Sequence, residues 1–331
     1  MTRGVAGVVL ALVVVLGGAT TVAAATGAGP GGPFDADGDG VGTLAELWYG
    51  SDPFDPDTDG DGLPDGFEVD HGLNPRNVTA NVGPDEDGDG IGRWVERQIG
   101  TSTDDRDTDG DGLWDGPEVF DRTVYPGASP LQPDLYVEVD RTRGARIDRE
   151  RFAAVEAAYE AAPVESRVGD GVDLHFVIDH EDPTRRTVRG GSPARPRDMS
   201  RWETSGFDRQ ALGYRYLVVA AEVSVAYEPG NEVTTGSPGR GIVEANASAA
   251  ALMHQTGGMA GLDSTLHPAV GTDRVAADRY PSVMNENYRR DDPDLRYDNG
   301  TFVDEWERIL AYTDRLDVAR MEVRARTATR S

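Results

Sequence analysis

Apolar residues are distributed unevenly along this chain of 331 residues, and their pattern divides it into three parts. An apolar run over Val5–Gly17 lies near the start, and residues 35–118 carry few apolar side chains among many aspartates and glycines. From about residue 133 onward, apolar residues recur with the periods of strands and helices. The pattern therefore predicts a targeting segment, an irregular repeat region and a folded domain.

The last part alternates between strand and helix patterns. Strands are predicted over Asp134–Asp140, Val172–Ile178 and Tyr214–Val225. Asp148 is placed to cap one helix, and a second helix of small residues is predicted over Ala245–Met253. This order predicts an α+β domain over residues 133–331, joined to the repeat region by a linker over 119–132 that is rich in proline and glycine.

The N-terminus has the composition of a secretory signal peptide. Arg3 precedes the apolar run, and Ala23, Ala24 and Ala25 provide a cleavage site of small residues. We predict a signal peptide over residues 1–25 and a short linker over 26–34. The alternative is an uncleaved anchor, since the uncharged stretch is nearly long enough to span a bilayer. Either outcome places the rest of the chain outside the cytoplasm, secreted or on the cell surface. An uncleaved N-terminus is the only membrane attachment that we expect.

Four segments of twelve residues in the repeat region share one spacing of oxygen-bearing residues: loop one (35–46), loop two (57–68), loop three (85–96) and loop four (107–118). Acids stand at positions 1, 3, 5 and 12 with glycine at position 6, and position 7 offers its main-chain carbonyl. This is the ligand spacing of a calcium loop. The candidate calcium ligands are Asp35, Asp37, Asp39, Val41 and Glu46 in loop one, Asp57, Asp59, Asp61, Leu63, Asp65 and Glu68 in loop two, Asp85, Asp87, Asp89, Ile91 and Glu96 in loop three, and Asp107, Asp109, Asp111, Leu113, Asp115 and Glu118 in loop four.

Position 9 distinguishes the loops. It is an acid in loops two and four, Asp65 and Asp115, but Thr43 in loop one and Arg93 in loop three. Because ligand charge tunes calcium affinity, loops two and four are predicted to be the tighter pair.

The loops resemble thrombospondin type 3 repeats, in which a chain with little hydrophobic core wraps around calcium ions. Their connections are too short and too rich in glycine and proline for paired EF-hands. Loop starts fall at residues 35, 57, 85 and 107, so a double unit recurs after 50 residues. The resemblance, over residues 35–118, implies an elongated extracellular stalk stiffened by calcium.

Charge and composition limit the classes of partner that this protein can bind. The formal net charge is −27, and residues 35–118 hold 24 acids against four arginines. Such a surface repels phosphate, so no nucleic-acid partner is expected. Cysteine and lysine are absent, and the acidic composition fits a salt-adapted, halophilic source. The expected partner is an unknown protein or a component of a surface layer.

A segment in the last domain resembles the HExxHxxGxxH zinc motif of metzincin proteases, and residues 280–285 resemble the Met-turn of that family. His254 matches the first zinc ligand, and Met284 matches the methionine beneath the metal. Gln255 replaces the glutamate that acts as general base, Gly258 replaces the second histidine, and Ser264 stands at the third ligand position. The resemblance spans about residues 133–312 and implies a metzincin-like mixed sheet with helices.

These departures argue against a catalytic zinc, because an amide does not take a proton from water near neutral pH. Two neighbouring glycines, Gly257 and Gly258, are also predicted to end the helix that carries His254. We therefore predict a pseudoprotease that acts as a binding module on a calcium-binding stalk. The alternative is an extracellular zinc metallopeptidase in which His267 and Asp263 replace the lost ligands.

Overall fold

The computed structural model describes residues 34–78, 83–182, 187–190, 206–209, 212–225, 235–237 and 239–262, and single residues between 282 and 309. The predicted signal peptide lies outside the described residues, as do Ser264, Asp263 and His267. All four candidate calcium loops, His254, Gln255, Gly258 and Met284 lie within them.

Each loop of the repeat region runs directly into a short helix that begins at loop position 9. The helices are α1 (Thr43–Tyr49), α2 (Asp65–Asp70), α3 (Arg93–Ile99) and α4 (Asp115–Phe120). Each therefore carries the position-12 glutamate in its first turn, where the helix dipole favours a negative charge. Gly50 and Gly100 follow the first and third helices, and both have positive φ, as helix-terminating glycines commonly do.

A small apolar core joins α2, α3 and α4. It contains Leu63 and Ile91 from position 7 of loops two and three, and Phe67, Val95 and Val119 from the helices. All five are at most 1 % exposed. Leu63 and Ile91, whose carbonyls are candidate ligands, thus direct their side chains inward, so packing fixes the course of loops two and three.

The last domain is a mixed α+β structure. Its elements are β1 (Asp134–Thr142), α5 (Arg149–Glu160), β2 (Asp173–Asp182), β3 (Thr187–Gly190), β4 (Arg215–Ala220), β5 (Glu222–Val225), β6 (Thr235–Ser237), β7 (Arg240–Glu244) and α6 (Ala249–Met259). The main sheet has the order β2-β1-β4-β7-β6, with β6 antiparallel and the other neighbours parallel, and β3 pairs with β5 separately. The prediction of a mixed sheet with helices is confirmed, while the metzincin likeness stays a prediction.

Both helices cover the same face of the sheet. Val137 and Val139 of β1 share one core cluster with Val155 of α5 and with Leu252 and Met253 of α6. A second cluster, including Tyr216 and Ile242, covers the opposite face of the central strands. Every residue of β1 except Arg141 is buried, so this strand is covered on both faces.

The burial of β1 differs from what its alternating sequence suggests. The pattern of Asp134–Asp140 is typical of a half-exposed strand, yet Glu138 and Asp140 are fully buried. Hydrogen bonds satisfy both carboxylates: Glu138 accepts from the main-chain N–H groups of Asp208 and Arg209, and Asp140 accepts from the Tyr216 hydroxyl at 2.6 Å. Buried acids can thus replace apolar residues where donors are supplied.

Two predicted boundaries are wrong. The stretch Tyr214–Val225 is two strands and not one, because Ala221 donates its N–H to the Thr142 hydroxyl and β5 leaves the main sheet to pair with β3. The second helix begins at Ala249, since the Ser248 hydroxyl oxygen accepts the N–H of Ala251 as an N-cap.

The helix α6 also continues through Gly257 and Gly258, which were predicted to end it. A Cβ on Gly257 would lie 2.7 Å from the Tyr297 hydroxyl oxygen, so the glycine allows this ring to pack on the helix. Burial of Met253 and Met259, both fully buried in the main core, offsets the cost of about 1 kcal/mol that each glycine carries in a helix.

The repeat region and the last domain are in direct contact. Leu113 of loop four lies in a buried cluster with Tyr125, Ala128, Tyr136 and Tyr214, which we call the junction cluster. Two of these side chains come from the segment predicted as a linker, Tyr125 and Ala128, and they are at most 7 % exposed. The Tyr125 hydroxyl donates to the Leu212 carbonyl at 3.1 Å. Loop four is thus seated on the domain that follows it.

Candidate metal centres

The acid at position 1 organises each loop. Asp107 accepts the N–H of Gly110 at 2.9 Å on one carboxylate oxygen and that of Gly112 at 3.0 Å on the other. The same pair of hydrogen bonds recurs in loops one, two and three. The glycines at positions 4 and 6 have positive φ in all four loops, a backbone conformation that glycine adopts without strain. The repeated sequence therefore produces one repeated turn.

The acid at position 5 closes the turn. In loop four, Asp111 accepts the N–H of Leu113 at 2.7 Å, and the corresponding bonds in the other loops measure 2.7–2.9 Å. The acids at positions 1, 3 and 5 then converge, so that one oxygen from each lies within 4.8 Å of the others in every loop. Three carboxylates at this separation repel one another unless a cation lies between them.

Several oxygens in these clusters are buried without a hydrogen-bond partner among the described residues. One oxygen of each position-3 acid is of this kind, as are both oxygens of the position-12 glutamates in loops one, three and four. These atoms belong to Asp37, Asp59, Asp87, Asp109, Glu46, Glu96 and Glu118. Buried polar atoms are rarely left unsatisfied, so this set of oxygens fits a hard cation such as calcium, which takes six to eight oxygen ligands.

Ionisation of several of these acids is unfavourable when no cation is bound, as their raised pKa values indicate. Burial, and then the neighbouring carboxylates, raise the pKa of Glu46 and Glu96 to about 7. Burial raises the pKa of Asp89 to about 8, even though the N–H of Ile91 donates to it. A bound divalent cation would reverse this cost by favouring the ionised form.

Position 9 has a role that the sequence did not indicate. Asp65, predicted to serve loop two, lies with Asp39 and Glu46 of loop one, where the three offer oxygens within 4.8 Å of one another. The N–H and hydroxyl of Thr58 donate to Asp65 at 2.9 and 2.6 Å and hold its carboxylate in place. Loop two thus presents its position-9 acid to the loop before it.

Loops three and four repeat this arrangement. Thr108 donates to Asp115 at 2.8 and 2.6 Å, as Thr58 does to Asp65. Burial is the main cause that raises the pKa of Asp89 and Glu96 in loop three. The negative charge of Asp115 raises the pKa of both groups further, as a smaller cause. The close approach requires glycine next in sequence, since a Cβ on Gly116 would overlap the carbonyl oxygen of Asp89.

One residue of the last domain, Asp134, contacts loop four, and a second, His175, is hydrogen-bonded to Asp134; the sequence did not assign either of them to the loop. Asp134, the first residue of β1, donates its N–H to Asp111 Oδ2 at 2.6 Å. Its carboxylate is hydrogen-bonded to His175 Nε2 on β2, and parallel pairing of the two strands sets His175 two residues beyond the partner of Asp134. The available signal was an acid opening a strand shortly after the last loop.

The residues that resemble a zinc motif lie in the last domain and are arranged differently from the convergent acids of the loops. Gln255 is 3 % exposed and packs on β7, where a Cβ on Gly241 would overlap its amide. His254 is half-buried on α6, Gly258 is also half-buried, and Met284 lies buried in the main core. The amide at the general-base position is thus part of the helix–sheet packing. The loss of the zinc site stays a prediction.

A comparison with known protein families supports the interpretation of the repeat region as calcium-binding repeats. The model of the family described as Bacterial TSP3 repeat matches residues 57–76 and 107–121, which contain loops two and four. Repeats of this type bind calcium and are typically extracellular. No curated protein matches the chain. Among the described helices, none has the length and apolar character needed to cross a membrane.

Proposed function

We propose that residues 35–118 form a calcium-binding stalk, with one ion in each of the four loops. The observation that carries this proposal is the set of buried carboxylate oxygens at positions 3 and 12 that have no hydrogen-bond partner among the described residues. They recur at the same loop positions, beside a position-1 acid whose oxygens are already occupied by N–H groups. A calcium ion would satisfy them together.

In this proposal the loops share ligands. Asp65 completes the site of loop one and Asp115 that of loop three, in addition to the acids of those loops. The expected order of affinity then changes: the negative charge at position 9 strengthens loops one and three, and the sequence alone assigned it to loops two and four. The support is the grouping of Asp65 with Asp39 and Glu46.

The test is a calcium titration of the purified, EDTA-treated chain by isothermal titration calorimetry and circular dichroism. We expect about four ions per chain and a calcium-dependent gain of protease resistance in residues 35–118. Glu46→Gln and Asp65→Asn should weaken the same site, and a double variant should cost less than the sum of the two. The proposal would be overturned if the chain binds no calcium, or if calcium changes neither its circular dichroism spectrum nor its protease resistance.

For the last domain we propose a binding module displayed by the stalk outside the cytoplasm, with an unidentified protein or surface-layer component as its partner. The support is the sequence departure at the general-base position, together with the burial of Gln255 in helix–sheet packing. Zinc analysis of the purified chain and a casein hydrolysis assay with and without a chelator test it. One zinc per chain with chelator-sensitive hydrolysis would favour the peptidase alternative.

A further inference from the structure

The start of β1 lies against loop four. The Asp134 side chain is fully buried, and its main-chain N–H donates to Asp111 Oδ2 at 2.6 Å. Leu113, two residues beyond Asp111, packs in the junction cluster with Tyr136 of the same strand. An acid of the last domain is therefore placed at the edge of a candidate calcium loop.

The surroundings of Asp134 are strongly acidic. The buried Asp134 side chain follows a main-chain N–H that is hydrogen-bonded to Asp111, an acid that is itself only 3 % exposed. Glu118 is 0 % exposed, and neither of its carboxylate oxygens has a hydrogen-bond partner in the described part of the chain. Asp111, Glu118 and Asp134 are thus buried acids, and a bound cation would balance their negative charge.

Loop one shows how such an extra acid is used. There Asp39 Oδ2 accepts the N–H of Gly66 at 2.8 Å, and the preceding residue, Asp65, brings its carboxylate to Asp39 and Glu46. Loop four has the same design, because its position-5 acid also accepts an N–H from a following segment that brings an acid. In loop one that segment is the next repeat, whereas in loop four it is β1.

We propose that Asp134 is a ligand of the calcium ion held by loop four, so that this ion fastens the last domain to the stalk. The proposal rests on the calcium-binding function proposed above. Each carboxylate oxygen has two acceptor sites, so the hydrogen bonds that Asp134 already makes leave room for a metal. The ligand class is a hard divalent cation, bound entirely through oxygen.

Two neighbours orient the Asp134 carboxylate. Ser129 donates its N–H to Oδ2 at 2.9 Å, and His175 Nε2 is hydrogen-bonded to Oδ1. The His175 ring stacks on Tyr136 with 4.4 Å between ring centroids and 11° between planes, which fixes the imidazole. Metal-binding carboxylates are commonly held in this way by an outer shell of hydrogen bonds. His175 is thus a positioning residue.

The experiment compares calcium isotherms of the full chain with those of Asp134→Asn and Asp173→Asn. Asp173 opens β2 directly beside Asp134 in the strand register, so its replacement removes the same charge one strand away and serves as the control. We expect Asp134→Asn to weaken one site by at least about tenfold and to leave the other sites unchanged. The control should keep all sites.

The result that would overturn the inference is an Asp134→Asn isotherm that superposes on that of the control while the wild-type chain binds calcium. A wild-type chain without calcium binding would instead refute the proposed function itself.

A measurement on the wild-type chain covers the case in which Asp134→Asn does not fold. Hydrogen exchange with and without calcium should show added protection in residues 127–136 together with loop four. Protection of loop four alone, with residues 127–136 unchanged, would also overturn the inference.

Discussion

Replacing Gly66 with alanine tests the contact that joins loop two to loop one. A Cβ on this residue would lie 2.5 Å from the Asp39 carbonyl oxygen and 2.8 Å from the Val41 nitrogen. Both are main-chain atoms, so rotation of a side chain cannot relieve the overlap. The two segments must instead separate by at least about 0.5 Å, because a Cβ atom is essentially never found closer than 3.0 Å to such an atom.

The expected cost follows from this overlap. Inserting a methyl group into a closely packed contact costs about 1–3 kcal/mol. Alanine stabilises a helix by at most about 1 kcal/mol relative to glycine, which offsets part of this cost. Because α2 has only six residues and its gain is small, we expect Gly66→Ala to lower the free energy of unfolding by about 2 kcal/mol. The calcium affinity of loop one should fall too, since Asp39 and Asp65 move apart.

Urea unfolding in saturating calcium, followed by circular dichroism, measures the first effect, and a calcium titration measures the second. Gly169→Ala is the matched control: Gly169 lacks a positive φ, and a Cβ there has no atom within 4 Å. Its free energy of unfolding should stay within about 0.5 kcal/mol of the wild-type value. If Gly66→Ala is as stable as the control and binds calcium equally well, the interleaving of the loops is refuted.

Three further predictions concern pH, α6 and the outer shell of the sites. Without calcium, burial raises the pKa of Glu46 to about 7 and that of Asp89 to about 8, so the folded chain binds protons that the unfolded chain releases. The stability that these two groups contribute in EDTA should be fully present below about pH 4 and lost as pH rises through about 8. Thermal melts in calcium should lack this decline. Gly258→Ala should stabilise the chain by up to about 1 kcal/mol, because no described atom lies within 4 Å of its Cβ, while Gly257→Ala should destabilise it through overlap with Tyr297; equal melting temperatures would contradict this. Thr58→Val should weaken calcium binding at loop one more than at loop two, about tenfold, because it removes the hydroxyl that holds Asp65; a titration that weakens loop two alone would contradict it.

The loops show how far sequence reasoning reaches in this protein. The spacing of Asp107, Gly110 and Gly112 sufficed to predict the turn, because its hydrogen bonds join residues only three and five positions apart. The spacing also predicted convergent acids, and the structure brings those at positions 1, 3 and 5 together in every loop. The assignment of each ligand to an ion stays a prediction.

What the spacing did not indicate is which loop an acid faces. Asp65 belongs to loop two by sequence and approaches loop one in space, and Gly66 permits this approach. Such a contact spans 26 residues between Asp39 and Asp65, and no local pattern encodes it. The expected order of affinities changed for this reason.

In the last domain, the sequence determined the elements better than their ends. The capped helix α5 and the strand β1 were predicted from local patterns that the structure confirms. The continuation of α6 through two glycines accompanies the burial of Met253 and Met259 and the packing of Tyr297, a residue far along the chain, against Gly257. Tertiary packing can outweigh intrinsic helix preference, because burying one large side chain is worth more than one glycine costs.

By itself, therefore, the sequence determined the four acidic turns, the acidic charge and the mixed class of the last domain, since each depends on residues that are close along the chain. Only the tertiary structure decided that loops share acids, that Glu138 and Asp140 are buried, and that Asp134 meets loop four. The physical reason is the same in all three cases. Each depends on which distant segment supplies a donor or a charge, and that is fixed by packing.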